Sequence, residues 1–195
     1  MFGLPQAFKR WQIIVELRRS VERNPHDAAA RADLGRLLVE AGRHREALGH
    51  LEQAIQRMPD QPETLYFLGA ACLGVGDHEQ GRPLVERALA LDPKLRYGEP
   101  YLTLADFYLE RKEYDRAIPL LEEYGGINAS SLQGRYKLGQ ALWAVGDAER
   151  AEAVLSEGLE IFPQLPGFRR RMARPWRWRT RLLLGKVRAR RRSGS

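Results

Sequence analysis

Apolar residues recur along most of the chain at spacings of three and four, the period of a helix with one buried face. The segment AAARADLGRLLVEAGRHREALGHLEQAIQRMP contains two such runs, which are separated by Gly42 and followed by Pro59. The repeating apolar positions are Leu34, Leu37 and Leu38 in the first run and Ala47, Leu48, Leu51, Ala54 and Ile55 in the second. The pattern predicts two helices joined by a tight turn.

This two-helix pattern returns at a fixed interval. Pro25, Pro59 and Pro93 lie 34 residues apart, and Pro163 closes a later copy. Each copy carries a large residue followed by a small one, and the third pair is displaced by two residues. The pairs are Leu34 and Gly35, Leu68 and Gly69, Leu104 and Ala105, and Leu138 and Gly139. A constant period of this size indicates an array of repeats.

The small residues have two predicted roles. Gly35, Gly69 and Gly139 in the first helices let a second helix approach closely. The glycines in EAGRH, GVGDH and AVGDA lie where a helix ends and the chain reverses, a position that favours positive φ. The third copy has Lys112 at that place, so we expect its turn to be made differently.

The pattern resembles the tetratricopeptide repeat family. Its motif has a large and a small residue at the seventh and eighth positions, an apolar or aromatic residue at the eleventh, then alanines and a closing proline. Four repeats fit, at residues 28–61, 62–95, 98–131 and 132–165. The resemblance implies an all-α fold, a right-handed α-solenoid of antiparallel helix pairs, also described as a TPR-like superhelix.

The third repeat departs from the motif. Tyr124 stands at an alanine position, as Gly81 and Gly158 do elsewhere, and the repeat ends in EYGGINASS without a closing proline. We expect irregular packing there.

The ends of the chain extend the array. Residues 1–27 match a lone second helix and are interpreted as an N-terminal capping helix. Residues 166–195 begin as an aborted fifth repeat, with Met172 and Ala173 nine residues beyond Pro163, and continue as a basic tail. Pro175 is expected to end that fifth helix, because proline lacks an N–H and clashes with the preceding turn.

The resemblance also implies a binding surface. First helices of the family line a concave groove that holds a segment of another protein, so the predicted partner is a protein or peptide of unknown identity. The predicted lining is Arg36, Val39, Glu63, Tyr66, Phe67, Leu73, Leu102, Asp106, Leu109, Tyr136, Lys137, Gln140 and Trp143. Trp143 is the first candidate for a contact, whereas Tyr66 and Phe67 fit a contact or a packing role equally well.

Some family members hold a C-terminal carboxylate through a set of basic and amide residues in the groove. The corresponding positions here are Ala32, Arg36, Phe67, Glu99 and Thr103. Only Arg36 is basic, so the resemblance implies that this form of recognition is absent.

Charge is unevenly distributed along the sequence. The chain has 32 basic and 25 acidic residues, a net charge of +7. Residues 164–195 contain eleven arginines, one lysine and no acid, a net of +12. The remaining 20 basic and 25 acidic residues give −5. The high isoelectric point therefore comes from the tail.

The basic tail admits several interpretations. Trp176, Leu183 and Val187 share one predicted helix face, with Leu184 beside them. This face could cover the last repeat, or residues 175–195 could dock on an anionic membrane or on nucleic acid. The tail could also lie against its own acidic repeats. The candidate residues are Arg174, Trp176, Arg177, Trp178, Arg179, Arg181, Lys186 and Arg188.

Catalytic chemistry finds little support in the sequence. The four histidines lie near turns or on second helices without a partner at helical spacing, and Cys72 occupies an interior repeat position. We find no motif for a nucleophile, a metal or a phosphate, so no catalytic residue, metal or cofactor is expected.

The expected function is that of an interaction module or scaffold, not of an enzyme. The sequence shows no stretch long and apolar enough to span a membrane and no secretory signal. The expected location is cytoplasmic, with a membrane-peripheral location as the alternative. The oligomeric state is left open.

Overall fold

The computed structural model describes residues 6–193, and within this range the regular structure is helical, without strands. The α-helices are α1 (Gln6–Arg23), α2 (Ala28–Glu40), α3 (His44–Arg57), α4 (Pro62–Val75), α5 (His78–Leu91), α6 (Glu99–Glu110), α7 (Tyr114–Ile127), α8 (Leu132–Ala144), α9 (Ala148–Ile161) and α10 (Gly167–Ser193). Short 3₁₀ turns occupy Leu95–Gly98 and Phe162–Gln164. A single helix thus precedes four helix pairs, and a long helix follows them.

The chain divides into two compact units between Leu95 and Arg96. Unit 1 contains α1 to α5 and unit 2 contains α6 to α10. In each unit a helix packs against the next one along the chain, and first helices also meet: α2 contacts α4, and α8 contacts α10. This is the packing of a helical repeat array, in which each pair buries its apolar face against its neighbours.

The small residues of the first helices lie against branched residues of the second helices. A methyl group added at Gly35 would come within 2.4 Å of Leu51 Cγ, and one at Gly139 within 2.6 Å of Leu155 Cγ. The same relation holds for Gly69, where the Val85 side chain would be 2.6 Å away. The predicted close approach within each pair is therefore confirmed at these positions.

The turn inside the third pair corrects one prediction. Gly42, Gly76 and Gly146 have φ values of 74, 90 and 90°. Lys112 takes the same left-handed conformation, with φ of 61°. The Glu113 N–H donates to the Tyr108 carbonyl at 2.9 Å, as the residue after each of those glycines does to its own helix. The prediction of a different turn was wrong, because this hydrogen bond holds a non-glycine residue in that conformation.

The end of the third pair is reorganised around Tyr124. Its ring is buried, and a methyl group at Gly134 of α8 would lie 2.6 Å from it. Its hydroxyl donates to Ser131 Oγ at 3.1 Å and accepts from Asn128 Nδ2 at 3.1 Å. The Tyr124 ring of α7 thus occupies the space that a side chain at Gly134 of α8 would fill.

Helix α10 runs without interruption through Pro175, so the prediction that this proline ends the helix was wrong. An interior proline costs roughly 3 kcal/mol. Beyond it, Leu183, Leu184 and Val187 are buried in the hydrophobic cluster that also contains Leu155. Because burial of each such side chain contributes about 1.5 kcal/mol or more, their packing outweighs the cost of the proline.

Candidate functional site

Unit 1 presents part of the predicted groove lining and buries the rest. Tyr66 and Phe67 are only 3% and 2% exposed, so the structure places both largely in the interior. Arg36 lies beside Phe67 in a shallow cleft of about 100 Å³, where it pairs with Asp33 and Glu40 at 3.3 and 3.5 Å. The other predicted lining residues of unit 1 are partly exposed at helix surfaces; they are Val39, Glu63 and Leu73.

Unit 2 brings the predicted groove and the predicted tail together. A cleft of about 440 Å³ lies between α6, α8 and α10. Its lining is Asp106, Leu109, Glu110, Tyr136, Lys137, Gln140, Trp176 and Arg179. The sequence predicted the tail and the groove as separate surfaces. The signal that unites them is the position of Met172 and Ala173, which puts α10 in the place of a fifth first helix.

Two of the lining residues, Tyr136 and Trp176, form an aromatic pair. The rings of Tyr136 and Trp176 have centroids 5.6 Å apart and an interplanar angle of 48°. The Arg179 guanidinium lies 4.8 Å from the Trp176 centroid, and Lys137 Nζ lies 6.0 Å from it. Lys137 also donates a hydrogen bond to Asp106 of α6. These cation–π contacts and this ion pair therefore connect α6, α8 and α10.

Two further clefts lie in unit 2, and they are connected to the first through shared lining residues. One of about 650 Å³ is lined by Arg96, Tyr97, Glu99, Leu102, Tyr124, Ile127, Asn128, Ala129, Ser130 and Arg169. The other, of about 300 Å³, is lined by Asn128, Ser130, Ser131, Leu132, Gln133, Leu165, Phe168, Arg169, Met172, Ala173 and Trp176. Arg169 belongs to both, and Trp176 joins the second to the cleft described above. We call the three together the cleft face of unit 2.

The cleft face combines exposed apolar groups with a few charges. Tyr97, Phe168 and Met172 are 82, 68 and 75% exposed. Arg169 donates to Ser130 Oγ at 3.2 Å, and the Arg179 guanidinium lies over the Trp176 ring. Neither arginine pairs with a carboxylate among residues 6–193. Such a surface suits a segment that offers apolar side chains together with a carboxylate.

Trp143, the first candidate for a contact, is half-buried in unit 2. It packs against the cluster that contains Leu142, Leu155 and Leu183. Its indole N–H is enclosed by this packing. The structure therefore gives Trp143 a largely internal position, while Trp176, which is also half-buried, lines the cleft face.

Helix α10 turns one side toward the repeats and the opposite side outward. On the side that faces the repeats, the second half of the helix buries Thr180, Leu183, Leu184 and Val187 against the last repeat, as the predicted apolar face required. The first half lines the clefts with Arg169, Met172, Trp176 and Arg179, and we call this part the cleft side. The outer face of α10 carries Trp178 and Leu182, which are 65 and 49% exposed. Among the remaining tail candidates, Arg174, Arg181 and Lys186 are exposed.

Some tail arginines bind the repeats of their own chain. Arg188 and Arg191 contact the two carboxylate oxygens of Glu152 at 2.8 and 2.6 Å. Their hydrogen bonds hold the pKa of Glu152 below its usual value. Arg177 lies 4.7 Å from the centroid of the Phe162 ring. The tail is therefore fastened to acidic and aromatic groups of unit 2.

The side chains that most often take part in catalysis or metal binding lie apart from one another within residues 6–193. No cluster of three or more histidine, cysteine, aspartate or glutamate side chains suited to a metal ion occurs within the described residues. Cys72 is buried, and burial raises the pKa of its thiol. His50 is half-buried beside Arg31, and burial lowers its pKa. None of the helices in residues 6–193 has the length and apolar character needed to cross a membrane.

The family assignment follows from comparison with known proteins. A profile of the tetratricopeptide repeat family matches residues 13–63, 38–97, 73–131 and 108–174. The chain belongs to the tetratricopeptide repeat family. The resemblance and the all-α repeat fold expected from it are confirmed.

Curated relatives of this tetratricopeptide repeat protein are longer than the chain. It is 26% identical over 157 residues to the BBSome complex member BBS4 homolog of Drosophila melanogaster, covering 74% of the chain and 32% of the relative. It is 27% identical over 111 residues to the TPR repeat-containing protein YpiA of Bacillus subtilis, covering 57% of the chain and 26% of the relative. The chain thus spans about a third or less of these relatives.

Solved structures show the same fold. A crystal structure of MamA superposes with a TM-score of 0.71 at 20% identity, covering 84% of this chain and 98% of that one. YrrB, described as a TPR protein with an unusual peptide-binding site, gives a TM-score of 0.63 at 16% identity and coverage of 88 and 90%. TTC0263 of Thermus thermophilus gives 0.64 at 21% identity, covering 88% of each chain.

Proposed function

We propose that this tetratricopeptide repeat protein is a non-catalytic interaction scaffold and that the cleft face of unit 2 binds a segment of a partner protein. In this proposal residues 28–165 are the four working repeats. Helix α1 caps the first repeat, and α10 acts both as the cap of the last repeat and as a wall of the binding surface. Membership in the family supports the scaffold role.

The observation that carries the proposal is the composition of the cleft face. It places an aromatic pair, Tyr136 and Trp176, between exposed apolar side chains and basic groups. Aromatic residues give large contact areas at a low entropy cost and are frequent anchors in interfaces. Polar groups such as Asn128 and Gln133 line the same clefts and can bind the backbone of an extended segment.

The charges of the cleft face indicate the chemistry of the partner segment. Arg96 pairs with Glu99, and Lys137 pairs with Asp106, so these charges are compensated within the face. Arg169 and Arg179 are left to attract an acidic group. The expected partner is an extended segment with apolar side chains next to an aspartate or glutamate. The peptide-binding site in the description of YrrB is in line with such a use of the fold.

Selection from a displayed library of random peptides tests the proposal. The immobilised full chain is used for selection, and the affinities of the recovered peptides are measured by fluorescence anisotropy. We expect enriched peptides that combine apolar and acidic residues. The variant F168S/M172S removes two exposed apolar side chains from the cleft face, and we expect it to weaken binding at least about tenfold.

The control variant lies on the same helix. W178S/L182S removes two apolar side chains of similar exposure from the outer face of α10. We expect it to bind the selected peptides within about twofold of the unchanged protein, since these residues lie outside the clefts. The proposal fails when no peptide is enriched, or when both variants bind equally well.

A further inference from the structure

The outer face of α10 combines apolar and basic groups. Trp178 and Leu182 lie one helical turn apart on the side opposite Thr180 and Val187. Exposed cations flank them on both sides. These cations are Arg171, Arg174, Arg181, Lys186 and Arg192. None of these five pairs with a carboxylate among residues 6–193, in contrast to Arg188 and Arg191.

Acidic and basic residues are unevenly distributed within unit 2. Residues 96–163 contain seven basic and twelve acidic residues, a net charge of −5. Residues 164–195 have a net charge of +12. In unit 1, residues 1–95, thirteen basic and thirteen acidic residues cancel. The positive charge of the protein is therefore concentrated on α10, which gives this helix a strong complementarity to an anionic surface.

Two other occupants fit this face less well. A second copy of the chain that met this face with its own α10, or with α1, which carries five basic and two acidic residues, would repel the cations. A nucleic acid would use the arginines, but its accessible surface is dominated by the charged backbone, and contact with Leu182 would require bases to be unstacked at a cost of a few kcal/mol. An anionic bilayer offers negative headgroups and an interfacial region in which tryptophan and leucine are both buried favourably.

We propose that the outer face of α10 docks this protein on an anionic membrane surface, with the helix lying parallel to the bilayer and with Trp178 and Leu182 entering the headgroup region. This inference goes beyond the proposed scaffold function, because it assigns a second surface with a different kind of ligand. Trp178 and Leu182 anchor the helix, and the flanking arginines select anionic lipid. The cleft side of α10 points away from the outer face and stays accessible.

Vesicle sedimentation with the full chain tests this inference. Vesicles of phosphatidylcholine alone are compared with vesicles that also contain phosphatidylglycerol. We expect binding to the anionic vesicles to be at least about tenfold tighter. The variant R174Q/R181Q should bind about twentyfold more weakly, since each cation near the surface contributes about a fivefold increase in affinity. The variant W178S/L182S should also lose binding.

Matched controls separate this surface from net charge and from the cleft face. R45Q/K94Q removes two exposed cations from unit 1, and F168S/M172S alters the cleft face. Both should bind anionic vesicles within about twofold of the unchanged protein. Melting curves of all variants show whether they are folded. Because peptide binding depends on F168S/M172S and vesicle binding on W178S/L182S, failure of one proposal is distinguishable from failure of the other.

The fluorescence of Trp178 gives a second measurement. Binding to anionic vesicles should shift the tryptophan emission to shorter wavelengths, and W178F should remove most of this shift. The inference is overturned by equal binding to neutral and anionic vesicles, by no binding to either, or by equal losses in R174Q/R181Q and R45Q/K94Q. It is also overturned when a single-stranded oligonucleotide displaces the vesicles, or when the protein self-associates through Leu182.

Discussion

At the scale of single residues, a lysine takes the place of a glycine in a helix-ending turn. Lys112 has φ of 61°, at the position where the other three turns have glycine. Left-handed conformations cost residues with a side chain roughly 1–2 kcal/mol, whereas glycine adopts them freely. Lys112 is exposed, so a change there alters the backbone conformation without removing core contacts.

We therefore expect Lys112→Gly to stabilise the protein. The gain is about 0.5–1 kcal/mol, because relief of the left-handed conformation exceeds the added entropy of the unfolded chain. Unfolding in urea measures it as a higher midpoint. The reverse change, Gly146→Lys, imposes the same conformation on a lysine in the fourth pair and should lower the midpoint by a similar amount. A destabilised Lys112→Gly variant would contradict this account of the turn.

At the scale of elements, periodicity predicted the helix pairs because buried faces repeat at fixed spacing. It placed Leu34 and Leu51 in the interior, where the structure has them. The passage of α10 through Pro175 was not predictable from local preference, since it depends on packing of residues further along the helix. Burial of Tyr66 and Phe67 likewise depends on tertiary contacts that the repeat motif does not specify.

The candidate site was predictable only in part, because it too depends on tertiary contacts that the repeat motif does not specify. Tyr136, Lys137 and Asp106 were assigned to the groove by their repeat positions. Trp176 was assigned to the tail, because its neighbours in sequence are arginines. Only the folding of α10 alongside α8 brings the Trp176 ring to 5.6 Å from the Tyr136 ring.

The attachment of α10 should depend on pH through Glu152. Its hydrogen bonds with Arg188 and Arg191 lower its pKa below the ordinary value of 4.5. A group whose pKa is lower in the folded state stabilises the fold above its unfolded pKa. This contribution is lost as the pH falls through the folded pKa. The two arginines are thus held at neutral pH and released in acid.

We expect Glu152→Gln to lower the melting temperature at pH 7 by about a degree or two, the usual scale for an exposed ion pair. The difference from the unchanged protein should shrink below pH 4.5, where the unchanged protein loses the same ionised carboxylate. Calorimetry at pH 7 and at acid pH measures both. Glu160→Gln, on the same helix α9, removes an exposed carboxylate that pairs with no arginine within residues 6–193, and it serves as the control. A pH-independent difference would contradict the role of this ion pair.

At the scale of the whole molecule, one helix belongs to two proposed surfaces. Met172 and Trp176 lie on the cleft side of α10, and Trp178 and Leu182 lie on its outer face. Because a helix turns about 100° per residue, side chains on its two sides contact different ligands without competing for space. A peptide on the cleft face and a bilayer on the outer face are therefore compatible.

Simultaneous binding is the expected result. A labelled peptide recovered by selection should sediment with anionic vesicles when the protein is present, and saturation with unlabelled peptide should leave the amount of sedimented protein unchanged. F168S/M172S should leave the peptide in solution while the protein sediments, and W178S/L182S should leave both in solution as a complex. Release of the protein from vesicles by peptide would show that the two ligands compete for α10. The helix would then act as a switch between two partners, and the bilayer could not serve as a platform for presenting the scaffold to its protein partner.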